Sequence, residues 1–170
     1  ELITEEGIVK AVRIAHRTLL EAGIKGPRIG VAALNPHAGD GGNFGKEEGK
    51  IIEPAVKLVR KDGIGALGPF PADTIFVRAQ RGEFDAVVTM YHDQGQIAMK
   101  MMGFERGVTI AAGLPIPIAT PAHGTAFDIA GRGVANETSL VKAVLLAARL
   151  AGRPHETKAG AKAVSYTHLT

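Results

Sequence analysis

The chain has no cysteine. Disulfides and thiolate metal centres are therefore excluded, and the composition suits a reducing, cytoplasmic compartment. No apolar run reaches the roughly 20 residues that a bilayer-spanning helix needs, and no signal-peptide pattern is present. There is no lysine and arginine block of the kind that marks a nucleic-acid footprint. Formal net charge is only +3 over 170 residues, and the sequence pI of about 9.3 is a weak pointer to anionic ligands. Neither a membrane nor a nucleic acid is expected as a partner. Repeats and low-complexity tracts are also missing. The chain begins at Glu1 without methionine and reads as a cut end.

What is present suits a folded domain. Hydrophobic residues make up 45% and charged residues 22%, enough for one good core or two small lobes. The 22 glycines often stand beside polar residues, which favours sites lined by backbone. Residues 85–90 form a short apolar run that reads as a buried strand. The run ends in Tyr91, His92, Asp93 and Gln94, Gly95 breaks the pattern, and residues 96–102 look helical. Polar groups between a strand's carboxyl end and a helix occupy the place where open α/β sheets bind ligands. The same stretch reads equally as a strand-end turn with a capping aspartate.

Residues 4–22 carry Ile8, Ala11, Val12, Ala15 and Leu19 at helical spacing, with Thr4 as N-cap and Gly23 as stop. Residues 28–34 read as a buried, parallel-type strand. It runs into residues 35–45, NPHAGDGGNFG, whose four glycines permit positive φ and a close backbone approach to a ligand. A helix is expected over 47–61, with Pro54 either kinking it or marking its real first turn. A loop between strand and helix N-terminus is a ready anion site, but the spacing matches neither the dinucleotide fingerprint nor the P-loop. Residues 64–67 are a weak strand, 68–71 a rigid turn, and 72–76 a short helix. Residues 107–111 are a further strand, and the prolines at 115 and 117 make 114–118 extended. Residues 120–131 form a second polar, glycine-bounded segment. A strong amphipathic helix over 137–150 is expected to turn Leu140, Val141, Val144, Leu145 and Ala148 inward, with Asn136 as N-cap.

His37, His92 and His123 each follow an apolar or extended segment and have glycine nearby. One such histidine is usually structural; three in equivalent places are harder to dismiss. His37 and His92 both lie just past strands and could meet at one edge of a sheet. Two histidines are too few for a closed zinc site, so a third ligand would come from Asp93, Asp40, sequence outside this chain or a second subunit. Lys100 lies two helical turns after Asp93; it reads as a carboxylate holder or acid/base group, or as a solvated helix lysine. Asp128 could accept the hydroxyls of an adenosine ribose and would repel a 2′-phosphate, favouring NAD over NADP. It reads otherwise as a helix-start aspartate favoured by the dipole. His16, His155 and His168 receive no role.

The motifs NPHAGDGGNFG (35–45), GPFPADT (68–74), YHDQG (91–95) and HGTA (123–126) resemble, in order, those of the 4-hydroxythreonine-4-phosphate dehydrogenase family. The resemblance covers roughly residues 5–150. The segment from His123 to Gly131, with Asn136, also resembles the adenosine loop of the isocitrate and isopropylmalate dehydrogenases. The resemblance implies an α/β fold of that type, a mixed sheet flanked by helices and incomplete at the N-terminal side. It implies oxidation and decarboxylation of a 4-phosphorylated hydroxy acid, dependent on NAD and a divalent metal (zinc, magnesium or cobalt). His37 and His92 would be metal ligands, Lys100 a substrate contact, and Asp93 a metal-shell or proton-handling group alongside it. His123, Gly124, Thr125, Ala126, Asp128 and Asn136 would hold the cofactor, and a homodimer would build the active site at its interface.

Two departures matter. The hydroxythreonine phosphate enzymes have asparagine at the position of Thr109 and arginine at that of Ile118, both substrate contacts. Losing the arginine removes an anion clamp, so the resemblance leans to the branch acting on 4-phospho-D-threonate or 4-phospho-D-erythronate. Family members are also considerably longer, and their upstream half supplies a further metal histidine and a His-Thr substrate pair. Residues 1–153 would thus be the C-terminal portion of such an enzyme, inactive alone, and 154–170 a disordered or artefactual tail. The alternatives are a dihydrodiol carboxylate dehydrogenase of aromatic degradation and an inactive nucleotide-binding fragment.

Overall fold

The structure, a computed structural model, describes residues 3–103 and 107–152 and the backbone of 166–169. It divides into two compact units, Glu1–Gln96 and Ile97–Thr170. The fold class is α/β, as the sequence predicts. Parallel and antiparallel pairings both occur, in separate sheets, β2-β1-β3 and β5-β4-β6. No described helix is long and apolar enough to cross a membrane.

In the first unit, α1 (Glu5–Glu21) starts where expected because the Thr4 hydroxyl accepts from the Gly7 N–H at 3.1 Å. Its buried residues Ile8, Val12, Ala15 and Leu19 recur at helical spacing. Next come β1 (Arg28–Ala32), α2 (Glu53–Lys61), β2 (Gly65–Phe70), α3 (Ala72–Gln80) and β3 (Ala86–Val88). The three strands are parallel, with β1 in the centre. Gly30 and Ala32 face Ile75 of α3 and Phe84. By strand alternation Ile29 and Val31 point the other way, and both are fully buried. Burying each such side chain contributes about 1.5–3 kcal/mol. The Arg28 guanidinium bonds Asp85, and that bond, ahead of the burial opposing it, holds the Asp85 carboxyl below its usual range.

Two expectations for this unit change. Residues 68–71 are not a separate turn: β2 runs on to Phe70, because its register with β1 shifts between Gly30 and Ala32 and the Ala33 N–H still reaches the Phe70 carbonyl at 2.7 Å. The helix expected from 47 begins as a π-turn, Glu48–Ile52, and Pro54 lies in the first turn of α2. Proline has no N–H to donate four residues back, and the Glu53 N–H reaches the Glu48 carbonyl instead.

The chain then enters α4 (His92–Gly103), which runs through the boundary between the units. In the second unit, β4 (Val108–Ala111) pairs antiparallel with β5 (Ile118–Pro121) and with β6 (Tyr166–Leu169), and α5 (Thr138–Ala151) packs on the hairpin. Residues 114–116 are bends that turn the chain between β4 and β5 rather than an extended segment. Of the expected tail, 154–165 and Thr170 lie outside the described residues. The inward face expected for α5 is reversed. Leu140, Val141, Val144 and Leu145 are 48–63% exposed, Ala148 is exposed too, and Ser139, Ala143 and Leu150 are buried. This helix is apolar on most of its circumference, so periodicity alone cannot choose a face. Its small residues allow the closer approach to the hairpin.

A Cβ on Gly30 would stand 2.9 Å from Phe84 and 3.1 Å from Ile75. Gly30→Ala should therefore cost about 1–3 kcal/mol through overpacking, read from urea unfolding. An unchanged midpoint would show that α3 and Phe84 yield at no cost.

Candidate functional site

The sheet order sets the first candidate site. From β1 the chain moves to β2 on one side, then crosses to β3 on the other. The carboxyl ends of β1 and β3 are thus a topological switch point, where open α/β sheets bind ligands. His37 follows β1 and His92 follows β3, so the two expected metal ligands leave adjacent strands at the same end.

The loop after β1 is a tight turn, Pro36–Gly42, with unusual backbone angles. His37, Ala38 and Asp40 have φ of 55°, 54° and 44°, beside the positive φ of Gly39, Gly41 and Gly42. The sequence suggested positive φ at the glycines, but not at three residues with side chains. Each of those costs roughly 1–2 kcal/mol, so the loop needs an anchor. Glu48 supplies it. Its carboxylate, 5% exposed, accepts from the N–H groups of Leu34 (2.9 Å) and Asn35 (2.7 Å) and from the Asn35 side chain (3.0 Å). Burial pushes the Glu48 carboxyl up, but the Asn35 side-chain bond and the backbone bonds outweigh it, so its pKa lies below the usual value. Asn35 also donates to Glu47 at 2.7 Å. A Cβ on Gly39 would lie 2.6 Å from the Glu48 carboxylate, and one on Gly45 would collide with Asn35. The exposed His37 ring lies tilted on Phe44, centroids 5.9 Å apart.

At the β3 exit, α4 begins at His92, so Gly95 lies inside the helix and does not break it. Gln94 sustains that early start. Its carboxamide oxygen accepts from the Met90 N–H, and its NH2 donates to the Ala33 carbonyl, both at 2.9 Å. The His92 Nδ1 lies 2.9 Å from the Asp93 carboxylate. A carboxylate only accepts, so this bond needs a proton on Nδ1, and in a neutral ring that leaves Nε2 as the lone-pair nitrogen. This is the usual pairing of a metal-binding imidazole with a carboxylate behind it. Lys100, exposed, lies two turns further along the same helix. Among the described residues no group of three His, Asp or Glu side chains is clustered to hold a metal. Two imidazoles alone do not make a metal site, so a divalent cation at this end of the sheet would need a further ligand from elsewhere.

The second candidate site lies in the second unit. A cavity of about 650 Å³ is lined by His123, Gly124, Thr125, Ala126 and Asn136 together with Ala130, Gly131 and Ser139 among others. The expected cofactor residues therefore gather in one place, except Asp128. It lies on the adjoining 3-10 turn, Phe127–Ile129, and is not among the lining residues. Ala126 takes a left-handed conformation (φ 48°) that turns the chain into this segment. α5 starts one residue later than expected, with Glu137 rather than Asn136 at the N-cap position; Asn136, just before it, accepts from the Thr138 N–H at 3.0 Å. The small, mostly apolar lining fits a flat heteroaromatic group such as adenine. Thr109 and Ile118 share the outer face of the β4–β5 hairpin: Thr109 opposes Thr120 and Ala111 opposes Ile118, while Val108 and Ile110 are buried behind them.

The sequence reading singled out neither Glu48 nor Gln94 for a role. A pair of glutamates directly after a glycine-rich loop was a usable signal for the first. The sequence marks Gln94 only as one of the polar residues at 91–94; nothing local points to its bridging bond, whose acceptor lies 61 residues away.

A family model described as pyridoxal phosphate biosynthetic protein PdxA matches residues 1–147. The chain is 53% identical over 152 residues to a D-threonate 4-phosphate dehydrogenase of Cupriavidus necator, covering 88% of this chain and 45% of that protein. A solved 4-hydroxythreonine-4-phosphate dehydrogenase from Klebsiella pneumoniae superimposes with a TM-score of 0.79 at 44% identity, covering 89% of this chain and 46% of that one. A terephthalate 1,2-cis-dihydrodiol dehydrogenase from Burkholderia xenovorans superimposes at 0.62 with 32% identity, covering 86% and 47%. The chain thus spans about half the length of the relatives it matches.

Because the Glu48 carboxyl lies below its usual value in the folded chain, the stability it lends is complete above the ordinary glutamate range, near 4.3. It is lost as pH falls through the lower folded value. Glu48→Gln should cost about 1–3 kcal/mol at neutral pH and flatten the acid side of the stability–pH curve. Urea unfolding across the acid range checks both, and an unaltered curve would remove Glu48 as the anchor of the loop.

Proposed function

The chain belongs to the pyridoxal phosphate biosynthetic protein PdxA family, and from that premise we propose that it forms part of a dehydrogenase acting on a 4-phosphorylated hydroxy acid, with NAD and a divalent metal. The observation that carries this reading is the switch point, where the His37 and His92 loops leave neighbouring parallel strands side by side. A divalent cation held there would supply Lewis acidity to a chelated hydroxyl, and a nicotinamide would accept the hydride before the keto acid loses carbon dioxide.

The chain's own residues take definite parts. His37 and the Nε2 of His92 hold the cation. Asp93 fixes the tautomer of His92 through Nδ1 and makes its ring a better donor. Lys100 pairs with the substrate's anionic group as a flexible point charge. His123, Gly124, Thr125, Ala126 and Asn136 seat the adenosine end of NAD in their cavity. Asp128, on the adjoining turn and outside that lining, is the group we assign to the ribose hydroxyls. A third metal ligand is needed, which accords with an active site completed by the rest of a longer chain and by a second subunit. For the same reason the 170-residue chain alone is expected to be inactive.

The substrate we favour is 4-phospho-D-threonate or 4-phospho-D-erythronate. Thr109 and Ile118, on one face of the hairpin, offer a hydroxyl and an uncharged surface, which suits a substrate hydroxyl at the place where the amino acid would bring an ammonium. Identity does not decide between them: relatives named for D-threonate 4-phosphate and for 4-hydroxythreonine-4-phosphate stand at 53% and 55%, so the choice rests on Thr109 and Ile118. The dihydrodiol reading has weaker support, at 32% identity.

The test is NAD reduction by the full-length enzyme carrying this sequence, with zinc, magnesium or cobalt. 4-Phospho-D-threonate should exceed 4-phosphohydroxy-L-threonine by about tenfold or more in kcat/KM, the worth of one charged hydrogen bond. The reverse order would assign the enzyme to vitamin B6 synthesis, and turnover of dihydrodiols alone would sink the phosphate reading. NAD reduction by the 170-residue chain alone would overturn its expected inactivity. In that chain, the His37→Ala, His92→Ala double variant should lose cobalt binding by calorimetry; unchanged binding would remove both ligands.

A further inference from the structure

The β1–β3 ladder ends at Val31 and Val88. Two residues on, Ala33 and Met90 would face each other if the register continued. They do not bond directly. The Gln94 carboxamide stands between them, accepting from the Met90 N–H and donating to the Ala33 carbonyl, each at 2.9 Å. The orientation of the amide is forced, because Met90 offers only a donor and Ala33 only an acceptor. A side-chain amide thus acts as an extra peptide unit set into the ladder. It bridges the two backbones just beyond the point where their direct ladder stops. The N–H of Ala33 is held on its other side by the Phe70 carbonyl, so this exit is tied to both neighbouring strands.

We propose that Gln94 is a positioning residue: its carboxamide is a spacer that sets the gap between the two strand exits, and hence between the loops bearing His37 and His92. The consequence for metal binding rests on the reading above; the spacing itself does not. His37 lies four residues beyond Ala33, and His92 two beyond Met90. A ladder without the spacer would either close, pinching the two loops together, or part, leaving two buried-side backbone groups unpaired. A serine or alanine at position 94 could fill neither bond. Asparagine carries the same group on a stem one methylene shorter.

Because the chain has no cysteine, spin labels can be placed at will. Labels at Asn43→Cys and Tyr91→Cys, both exposed positions, report the distance between the two loops by double electron–electron resonance. With Gln94 intact, a single narrow distribution is expected. Gln94→Met, of similar length but without hydrogen bonds, should shift or broaden it while the chain still melts cooperatively. Gln94→Glu, which sets a carboxylate against the Ala33 carbonyl, should widen the gap further. Identical distributions in all three would overturn the proposal. In the unlabelled chain, Gln94→Met should weaken cobalt binding by about tenfold, as loss of a supporting group around metal ligands does. If the unaltered chain binds no cobalt while its spacing still depends on residue 94, the metal reading falls and the spacer stands. Cobalt affinity unchanged by Gln94→Met, in a chain that binds cobalt, would overturn the link between spacing and the histidines.

Discussion

Everything in the first unit depends on the position of β1. It bonds a parallel strand on each edge, and from Ile29 to Ala32 it is buried on both faces, so no polar side chain could stand there without being buried unpaired. Function can emerge only at its carboxyl end, where the chain must also choose a direction. Because β2 and β3 flank β1 on opposite sides, that end is where the two loops part. The same constraint leaves room for no Cβ at Gly30, which lies against Phe84 and Ile75.

The loop that leaves β1 is held in a conformation its sequence would not choose. Three residues with side chains stand at positive φ, a state that persists only when the surroundings over-determine it. Here a buried carboxylate does so, taking the backbone donors at the very start of the loop and excluding any side chain at Gly39. Strain held in place by hydrogen bonds at a strand exit keeps His37 in one position rather than many. Glu48 ties the start of this loop, and Gln94 ties the same strand exit to the start of α4.

The second unit is built differently. Its hairpin and helix bury one face each, and α5 keeps a stripe of valine and leucine exposed. A chain spanning about half the length of its relatives is consistent with an apolar face of that kind. The cavity around His123 is lined mostly by small residues, with His123, Ile129 and Asn136 among them, a lining that admits a flat ring.

The sequence by itself determined the elements whose cause is local. Thr4 caps α1 because its hydroxyl lies three residues from the N–H it takes; the apolar run at β1 reads as doubly buried; the glycines at 39–45 announce a turn. The polar cluster at 91–94 and the segment around His123 were legible as candidate sites for the same reason, since residue types and spacing suffice to mark a strand exit or a turn. Only the tertiary structure decided what depends on distant partners. It set the strand order that brings His37 and His92 to one edge, and it placed Asp128 outside the cavity its neighbours line. It buried Glu48 among donors 13 and 14 residues away and stretched Gln94 to a carbonyl 61 residues away. It also turned α5 over, because a helix apolar on most sides packs by the size of its residues, which periodicity does not measure.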